Sequence, residues 1–526
     1  MSFERAMLAI IGVGVLLRVI ATVMDIPRFD GAFYSTLGYN LVSHHEFMTL
    51  SGLHTYNYSL TFPTYLAGFY AVFGFSVPVT KVASFLCSLI VIVVAYLATK
   101  DLFDRKAGLT AAAVMSLTSA LIVVTGKAYV ENIVLIFFIP TIWAMVKGFK
   151  DSRFIPIAAF FAGLTYYTKT DVGLYIASGA LAAFIVWKFL YARLEMFKDK
   201  YYWLAFVIVI VMILGRAFLI YSGQDQPRNL SRTILASFNI VVFLVQLVLH
   251  MALVAGFFIF FYPEFRQSLS NYKKESTNFL LLLITALSLL AVFNATGWQT
   301  LSPRILGGVS REYITIVYLP ALWMFFYFAS WERDSDQKGF FATIKEIFKR
   351  RIRLLAFLGC LALAVGMIFV DDWLAILFFF GSLGFVFTSF RRRLTILFVA
   401  LFVVSANAVT AVYHPAYVEA ADEINKTLQP GHTVALDREN KSEYLSPDRM
   451  FMYFSVQDID LVIYENGTYP NYIISEYSWN YTGYTFVGIF LGEVRPTTMA
   501  LVKDLLLGKD IGPPYPDKTI YVWRLP

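Results

Sequence analysis

A carboxylate just beyond the first apolar run is the residue best placed to do chemistry. Asp30 follows the run Met7–Met24 by six residues, and an aromatic and histidine-rich loop is expected from there to about residue 59. A carboxylate at the boundary between water and lipid is partly desolvated, and desolvation favours its protonated form. Asp30 is therefore predicted to be the chemical centre, a group that can take up a proton. The alternative is an acidic residue that caps a helix end.

A second carboxylate, Glu131, ends the segment Lys127-Ala-Tyr-Val-Glu131 between two later apolar runs. It is the second candidate catalytic residue. The alternative is that Glu131 complements the dipole at a helix N-terminus, with Lys127 four residues earlier as its ion-pair partner.

The composition tells which kind of scaffold must position these groups. Of 526 residues, 58% are hydrophobic and 15% are charged, whereas soluble domains carry about 25% charged residues. The chain is therefore predicted to be a polytopic α-helical membrane protein. Its net charge of +7 reflects loop lysines and arginines, so membrane lipids are expected partners and nucleic acid is not.

About thirteen apolar runs are predicted to be transmembrane helices, since a bilayer core needs about 20 apolar residues per helix. The shorter run Phe62–Phe75 contains Pro63 and Gly68, and we expect it to lie in or re-enter the outer interface instead. The predicted spans are 7–24, 81–99, 107–125, 130–147, 154–168, 172–190, 202–221, 234–261, 277–296, 312–331, 354–370, 373–390 and 394–413.

Positive charges set the predicted orientation of the chain in the cell membrane. If Phe62–Phe75 does not span, the cytoplasmic stretches hold 24 of the 34 lysines and arginines before His414. The N-terminus is then cytoplasmic, and residues 25–80 form a first external loop with juxtamembrane helices. The first run is longer than the apolar core of a cleaved signal peptide, so we expect it to stay as an anchor.

The last part of the chain, residues 414–526, is predicted to be a small extracytoplasmic α/β domain behind a transmembrane module of residues 1–413. Strands are expected at 460–464 and 519–523, and helices at 416–428 and 498–507. Four Asn-x-Ser/Thr sequons agree with export of this part. They are Asn425, Asn440, Asn466 and Asn480.

Seven basic residues fall at the outer ends of the predicted helices, where the charge rule does not favour them. Arginine binds phosphate through paired hydrogen bonds, so a lipid phosphate or diphosphate at outer headgroup depth is their predicted partner. For each one the alternative is a long side chain that snorkels to the interface. They are Arg28, Lys127, Lys169, Arg228, Arg232, Arg304 and Arg311.

A histidine cluster in the first loop leaves a divalent metal site open. Its members are His44, His45, Glu46 and His54. Their spacing matches no standard zinc pattern, so the sequence predicts no metal or other cofactor as a requirement.

Four segments within about the first 190 residues resemble the GT-C glycosyltransferases, in the branch of the protein O-mannosyltransferases and the bacterial aminoarabinose transferases. They are Asp30 with Tyr34, Thr61-Phe-Pro63-Thr-Tyr65…Phe73-Gly74, Lys100–Leu109 with Lys127–Glu131, and Ala162–Lys169. The chain departs from the family at two places. The family often has Asp-Glu where this chain has Asp30-Gly31, and a double proline where it has Pro63 alone.

This resemblance implies transfer of a hexosyl or pentosyl group from a polyprenyl- or dolichyl-phosphate carrier to a glycan, glycolipid or protein acceptor outside the cytoplasm. Asp30 would deprotonate the acceptor hydroxyl as it attacks the anomeric carbon with inversion. Cations would stabilise the departing lipid phosphate, first Lys169, Arg304 and Arg311, then Lys127 and Arg232. Candidate acceptor-binding residues lie in the first loop and the segment after it: Arg28, Tyr34, His54, Tyr56 and Tyr65.

Other functions stay open. A flippase or transporter of lipid-linked sugars would use the same cations and no base, although the chain lacks the two matched halves that many transporters show. An oligosaccharyltransferase-like enzyme would use a diphosphate donor. A non-catalytic subunit of a larger complex would need none of these residues for chemistry.

Overall fold

The computed structural model describes part of the chain, chiefly a helical bundle and a β-sheet. The described residues are 3–27, 30–50, 59–168, 181–189, 198–222, 351–367, 379, 382, 390–410, 413–414, 416–437, 450–465, 469–476, 478, 481–494 and 515–526.

The described helices agree closely with the apolar runs. They are α1 Phe3–Met24, α2 Asp30–His44, α3 Thr61–Phe73, α4 Val77–Leu102, α5 Arg105–Leu117, α6 Ser119–Gly126, α7 Glu131–Lys147, α8 Phe154–Thr168, α9 Lys200–Ser222, α10 Arg351–Met367, α11 Phe390–Thr410 and α12 Ala416–Asn425. Polar residues begin several of them. Asp104 accepts a hydrogen bond from the Ala107 amide at 2.7 Å, and Asp199 accepts one from the Tyr201 amide at 2.9 Å, the usual capping of a helix start.

By length and composition, three of the described helices are able to cross a membrane: Phe3–Met24, Val77–Leu102 and Lys200–Ile220. The predicted spans at 234–261, 277–296 and 312–331 lie outside the described residues, and those at 172–190 and 373–390 are described only in part. The total of about thirteen stays a prediction. Helix α3 has 13 residues and is about 20 Å long, short of the bilayer core of about 30 Å.

The structure makes two sequence predictions more specific, namely the juxtamembrane helices of the first external loop and the apolar run 107–125. The expected loop after Asp30 is helical as far as His44. Helix α2 contacts α3 closely at Gly38, where an added Cβ would lie 3.1 Å from the Pro63 carbonyl oxygen. Tertiary packing therefore stabilises α2, although the mixture of polar and apolar residues in this segment does not predict a helix. The predicted span 107–125 is also divided, because Thr118 is extended between α5 and α6.

The break at Thr118 exposes backbone carbonyls inside the bundle, and side chains of other helices satisfy them. Arg18 of α1 is fully buried and donates to the Met115 carbonyl at 2.7 Å and to the Ser116 carbonyl. Ser405 of α11 donates to the Leu117 carbonyl at 2.5 Å. Since an unsatisfied carbonyl in an apolar interior costs several kcal/mol, these donors let the helix break where it does.

A six-stranded sheet follows the last helix of the bundle. Its strands are β1 Tyr413–His414, β2 Thr433–Asp437, β3 Asp460–Ile463, β4 Tyr472–Ser475, β5 Thr485–Val494 and β6 Tyr515–Arg524, in the order β1-β5-β6-β4-β2-β3. Strand β2 is parallel to β3 and β4, whereas β6 is antiparallel to β4 and β5. The strands predicted at 460–464 and 519–523 and the helix at 416–428 are thus observed. The helix predicted at 498–507 lies outside the described residues.

The sequon at Asn425 is used for structure. Its amide donates to the Tyr453 carbonyl at 2.8 Å, and its amide oxygen accepts from the Ser455 amide at 2.8 Å. A glycan on this nitrogen would disturb the first bond, so Asn425 is a poor acceptor. The sequons at Asn440, Asn466 and Asn480 lie outside the described residues.

Candidate active site

The first candidate residue, Asp30, is the first residue of α2 and is half-buried. A negative charge in this position complements the helix dipole, so the capping interpretation describes its local geometry. Capping alone does not determine the role of Asp30, because a capping carboxylate can also take part in catalysis. The residues that contact the N-terminus of α2 bear on that role.

Helix α2 begins in direct contact with the segment that connects α6 and α7. A Cβ added to Gly31 would overlap the Lys127 carbonyl oxygen and lie 3.1 Å from the Ala128 carbonyl oxygen. On the other side of the connection, a Cβ at Gly126 would lie 2.8 Å from the Ala21 carbonyl oxygen and 2.9 Å from the Asp25 Cβ. The chain on either side of Asp30 is therefore pressed against residues 126–128.

The same contact explains a departure from the family pattern. A glutamate at position 31 would have to place its side chain where the Lys127 carbonyl lies, and only glycine lacks the Cβ that collides there. The glycine after Asp30 is thus required by the close approach of two backbones.

The connection after α6 has a defined and strained shape. The Tyr129 amide donates to the Val124 carbonyl at 3.0 Å and the Ala128 amide to the Thr125 carbonyl at 3.2 Å, the two bonds of a Schellman helix end. Ala128 takes the left-handed conformation, with φ of 55°, although it carries a Cβ and is fully buried. Such a conformation costs about 1–2 kcal/mol, and packing against α2 maintains it.

This connection contains Lys127 and leads into Glu131, two of the predicted site residues. Lys127 is half-buried, with its ammonium 5.6 Å from the centre of the Tyr129 ring. Glu131 is the first residue of α7 and is 3% exposed. The Lys127 backbone therefore lies against Gly31, the residue after Asp30, and Glu131 follows four residues later. The catalytic and binding roles of Asp30, Lys127 and Glu131 stay predictions.

Buried hydroxyl and amide groups stabilise the end of α6 through hydrogen bonds to Thr125. Ser84 of α4 donates to the Thr125 carbonyl at 2.9 Å, and Asn132 of α7 donates to the Thr125 hydroxyl at 3.2 Å. All three side chains are buried. Since buried polar groups of this kind specify one arrangement of the helices, they fix the junction that faces Asp30.

A second junction joins α3 to the end of α8. The Leu60 amide donates to the Tyr167 carbonyl at 3.0 Å, and the Thr61 and Thr168 hydroxyls are hydrogen-bonded at 2.9 Å. The buried Phe62 ring then meets the Tyr34 ring edge-on, with centroids 6.0 Å apart. The start of α3 thus connects the first turns of α2 with Thr168, the residue before Lys169.

The chain is similar to known proteins in part of its sequence and in its fold. Residues 59–218 match the family model for dolichyl-phosphate-mannose-protein mannosyltransferases. The fold aligns over 98% of the chain with 97% of ArnT from Cupriavidus metallidurans bound to undecaprenyl phosphate, with a TM-score of 0.56 and 12% identity. The chain has the GT-C glycosyltransferase fold. ArnT from the same organism in the apo state aligns with a TM-score of 0.55 and 11% identity over the same shares of both chains. No curated protein sequence matches.

The GT-C resemblance predicted from the sequence is thereby confirmed, and the likeness of fold covers nearly the whole chain. The contacts above explain why the scattered segments occur together. In this GT-C fold, Asp30 with Tyr34, Thr61–Tyr65, Lys127–Glu131 and Ala162–Thr168 meet at adjoining helix ends.

Two of the predicted acceptor-binding tyrosines have structural partners. Tyr34 is 4% exposed and packs against Phe62. Tyr65 is half-buried, and its hydroxyl donates to the Ala83 carbonyl of α4 at 2.9 Å. These contacts place both rings in the wall of the GT-C module, where their role toward an acceptor stays a prediction.

Seven further site residues lie outside the described part of the chain, so their positions relative to Asp30 stay predictions. They are Arg28, His54, Tyr56, Lys169, Arg232, Arg304 and Arg311. Among the described residues, no group of three or more His, Cys, Asp and Glu side chains is arranged to hold a metal ion. His44, His45 and Glu46 are exposed at the end of α2.

One buried cation, Arg216, was missed by the sequence analysis. It lies in α9, is fully buried, and donates to the Tyr166 carbonyl at 3.0 Å at the end of α8. Its guanidinium lies 5.1 Å and 5.5 Å from the ring centres of Tyr166 and Tyr167. The signal was an arginine within an apolar run, because such a residue is costly in a membrane helix unless it has partners. Arg216 thus stabilises the helix end that precedes Lys169.

Proposed function

We propose that this protein is a membrane glycosyltransferase that moves a sugar from a polyprenyl-phosphate carrier to an acceptor on the extracytoplasmic side, with Asp30 as the general base. The observation that supports this proposal is the contact of Gly31, the residue after Asp30, with the backbone carbonyls of Lys127 and Ala128, just before Glu131 in the chain. The matched family model and the GT-C fold support the reaction class. An ArnT crystallised with undecaprenyl phosphate supports the lipid carrier.

In the proposed reaction an acceptor hydroxyl attacks the anomeric carbon of the donor sugar. Its proton passes to the Asp30 carboxylate, a new glycosidic C–O bond forms, and the bond between the anomeric carbon and the phosphate oxygen breaks. The carbon is attacked from the side opposite the leaving group, so its configuration inverts.

The leaving lipid phosphate gains negative charge in this step. Lys169, Arg304 and Arg311 are the proposed donors to it, followed by Lys127 and Arg232, because cations in a low-dielectric site stabilise developing charge strongly. Glu131 is the proposed second carboxylate of the site. A phosphate leaves readily enough that the proposal uses no metal.

The test is to incubate the purified full-length protein with a panel of radiolabelled polyprenyl-phosphate sugars and a membrane extract. We expect label to leave the carrier lipid for an acceptor with one of these donors. Asp30→Asn keeps the size of the side chain but removes the base. Transfer is expected to fall at least 100-fold, which is the lower end of the usual general-base contribution of about 10²–10⁴.

Asp25→Asn is the matched control. Asp25 lies five residues earlier, and its carboxylate accepts a hydrogen bond from the Ile26 amide at 3.0 Å, which an asparagine oxygen can also accept. Transfer by this variant is expected to stay within about threefold of the unaltered protein. Full transfer by Asp30→Asn would overturn the proposed role of Asp30.

The same panel separates the alternatives. A flippase would move labelled lipid across sealed vesicles with Asp30→Asn as well as with the unaltered chain, and it would release no sugar. Transfer only from polyprenyl-diphosphate donors, with loss in the presence of a chelator, would indicate an oligosaccharyltransferase-like reaction.

A further inference from the structure

The segment that leads into Asp30 is held from two sides. On one side lie residues 126–128 of the helical bundle. On the other side lies the 3-10 helix Phe451–Tyr453, which precedes β3 in the sequence and packs on α2. The Tyr453 hydroxyl donates a hydrogen bond to the carbonyl of Pro27, three residues before Asp30.

The 3-10 helix reaches α2 through an aromatic cluster as well. Phe451 lies 5.2 Å from Tyr39 and 5.8 Å from Phe75 between ring centres, and Tyr39 and Phe75 lie 4.8 Å apart. Ala32, two residues after Asp30, is 1% exposed and belongs to the same core as the inner side chains of the sheet. The first turns of α2 are therefore part of the core beneath the sheet.

Tyr453 is itself held firmly by the rest of this unit. Its carbonyl accepts from the Asn425 amide of α12 at 2.8 Å, and its ring lies 5.7 Å from the Tyr417 ring, also of α12. Tyr453 is 8% exposed. A set of contacts thus leads from the sheet through α12 and Tyr453 to the Pro27 backbone, three residues before Asp30.

We propose that Tyr453 is a positioning residue that lets the C-terminal sheet hold the candidate base Asp30 at its place against residues 126–128. This inference rests on the proposed function for its catalytic consequence, and on the contacts alone for its structural one. The sheet then acts on the reaction itself, through the Tyr453–Pro27 hydrogen bond, in addition to any part it has in binding an acceptor.

Tyr453→Phe tests the inference because it removes one hydroxyl and keeps the ring. The matched control is Tyr484→Phe, since the Tyr484 hydroxyl also donates to a proline carbonyl, that of Pro470 at 2.7 Å, in the same sheet unit but away from α2. Both variants lose one hydroxyl that donates to a proline carbonyl in the sheet unit, and only Tyr453→Phe loses the one that reaches the chain before α2.

The first measurement is transfer by the full-length protein with the donor that is active in the panel above. The rate is expressed per binding site for radiolabelled undecaprenyl phosphate, so that unfolded protein is not counted. We expect Tyr453→Phe to lower kcat about tenfold, the value of one hydrogen bond of about 1.4 kcal/mol, with KM for the donor unchanged. Tyr484→Phe is expected to stay within about twofold.

The second measurement is amide hydrogen exchange over Tyr34–Gly38 of α2, which needs no activity. Exchange there is expected to be about tenfold faster in Tyr453→Phe and unchanged in Tyr484→Phe. Equal exchange in the two variants would overturn the inference, whatever the protein catalyses. Faster exchange with an unchanged rate per site would overturn the catalytic part alone. If no donor is active, the proposed function fails while the exchange measurement still decides the structural claim.

Discussion

Gly31→Ala probes the closest contact of the proposed site, because the added methyl group enters the space of the Lys127 carbonyl oxygen. Carbon and carbonyl oxygen come no closer than about 3.3 Å in favourable contacts, so α2 and residues 126–128 must separate by about 1 Å. A displacement of this size within a catalytic arrangement costs about 100-fold in rate, or about 2.7 kcal/mol in the barrier. Overpacking adds a stability loss of about 1–3 kcal/mol.

The assay measures label transfer from the active donor together with thermal unfolding in detergent. Gly68→Ala in α3 is the matched control, because no atom lies within 4 Å of a Cβ built there. It removes a glycine from a helix interior and is expected to raise stability by about 0.5–1 kcal/mol with full activity. If Gly31→Ala transfers sugar within twofold of the unaltered protein, the close approach of the two segments is not what places Asp30.

Two further predictions concern stability. Arg18→Met leaves the Met115 and Ser116 carbonyls without their arginine donor, so the free energy of unfolding should fall by about 2–4 kcal/mol. The control is Arg105→Met, which removes an exposed ion pair and should change the free energy of unfolding by less than about 1 kcal/mol. Equal melting temperatures for the two variants would contradict the role given to Arg18. Burial, followed by its hydrogen bond to the Asp437 carboxylate, raises the pKa of Tyr481, so the folded sheet keeps this proton at a pH where the unfolded chain has lost it. The resulting stability is present below about pH 10 and is lost as pH rises further. Between pH 8 and pH 11, the free energy of unfolding of Tyr481→Phe should therefore fall less with pH than that of the unaltered protein. The same dependence on pH in both proteins would refute this.

Helix positions were the most predictable part of the structure. The apolar runs gave 130–147 and 154–168 for helices observed at Glu131–Lys147 and Phe154–Thr168. Abrupt changes from polar to apolar sequence at these ends carry the information, since the bilayer admits few polar side chains. The catalytic aspartate candidate was recognised for the same reason, as a charge directly after an apolar run.

Features that depend on contacts between distant segments could not be predicted. The helix Asp30–His44 is stabilised by packing at Gly31 and Gly38, and no periodic apolar pattern marks it. The buried arginines Arg18 and Arg216 donate hydrogen bonds to carbonyls at the ends of other helices. The three-dimensional structure is needed to see which helix ends lie next to them. Likewise, the sequon at Asn425 says nothing of the bonds that its amide makes.

The position of β6 has a consequence for biosynthesis. This strand lies between β5 and β4, yet all five other strands precede it in the chain. The ribosome must therefore finish residues 515–524 before the sheet can close, well after it has made the described helices as far as α12. Closure of the sheet is thus a late event, and newly made protein passes through an interval in which the helical bundle exists without the completed sheet.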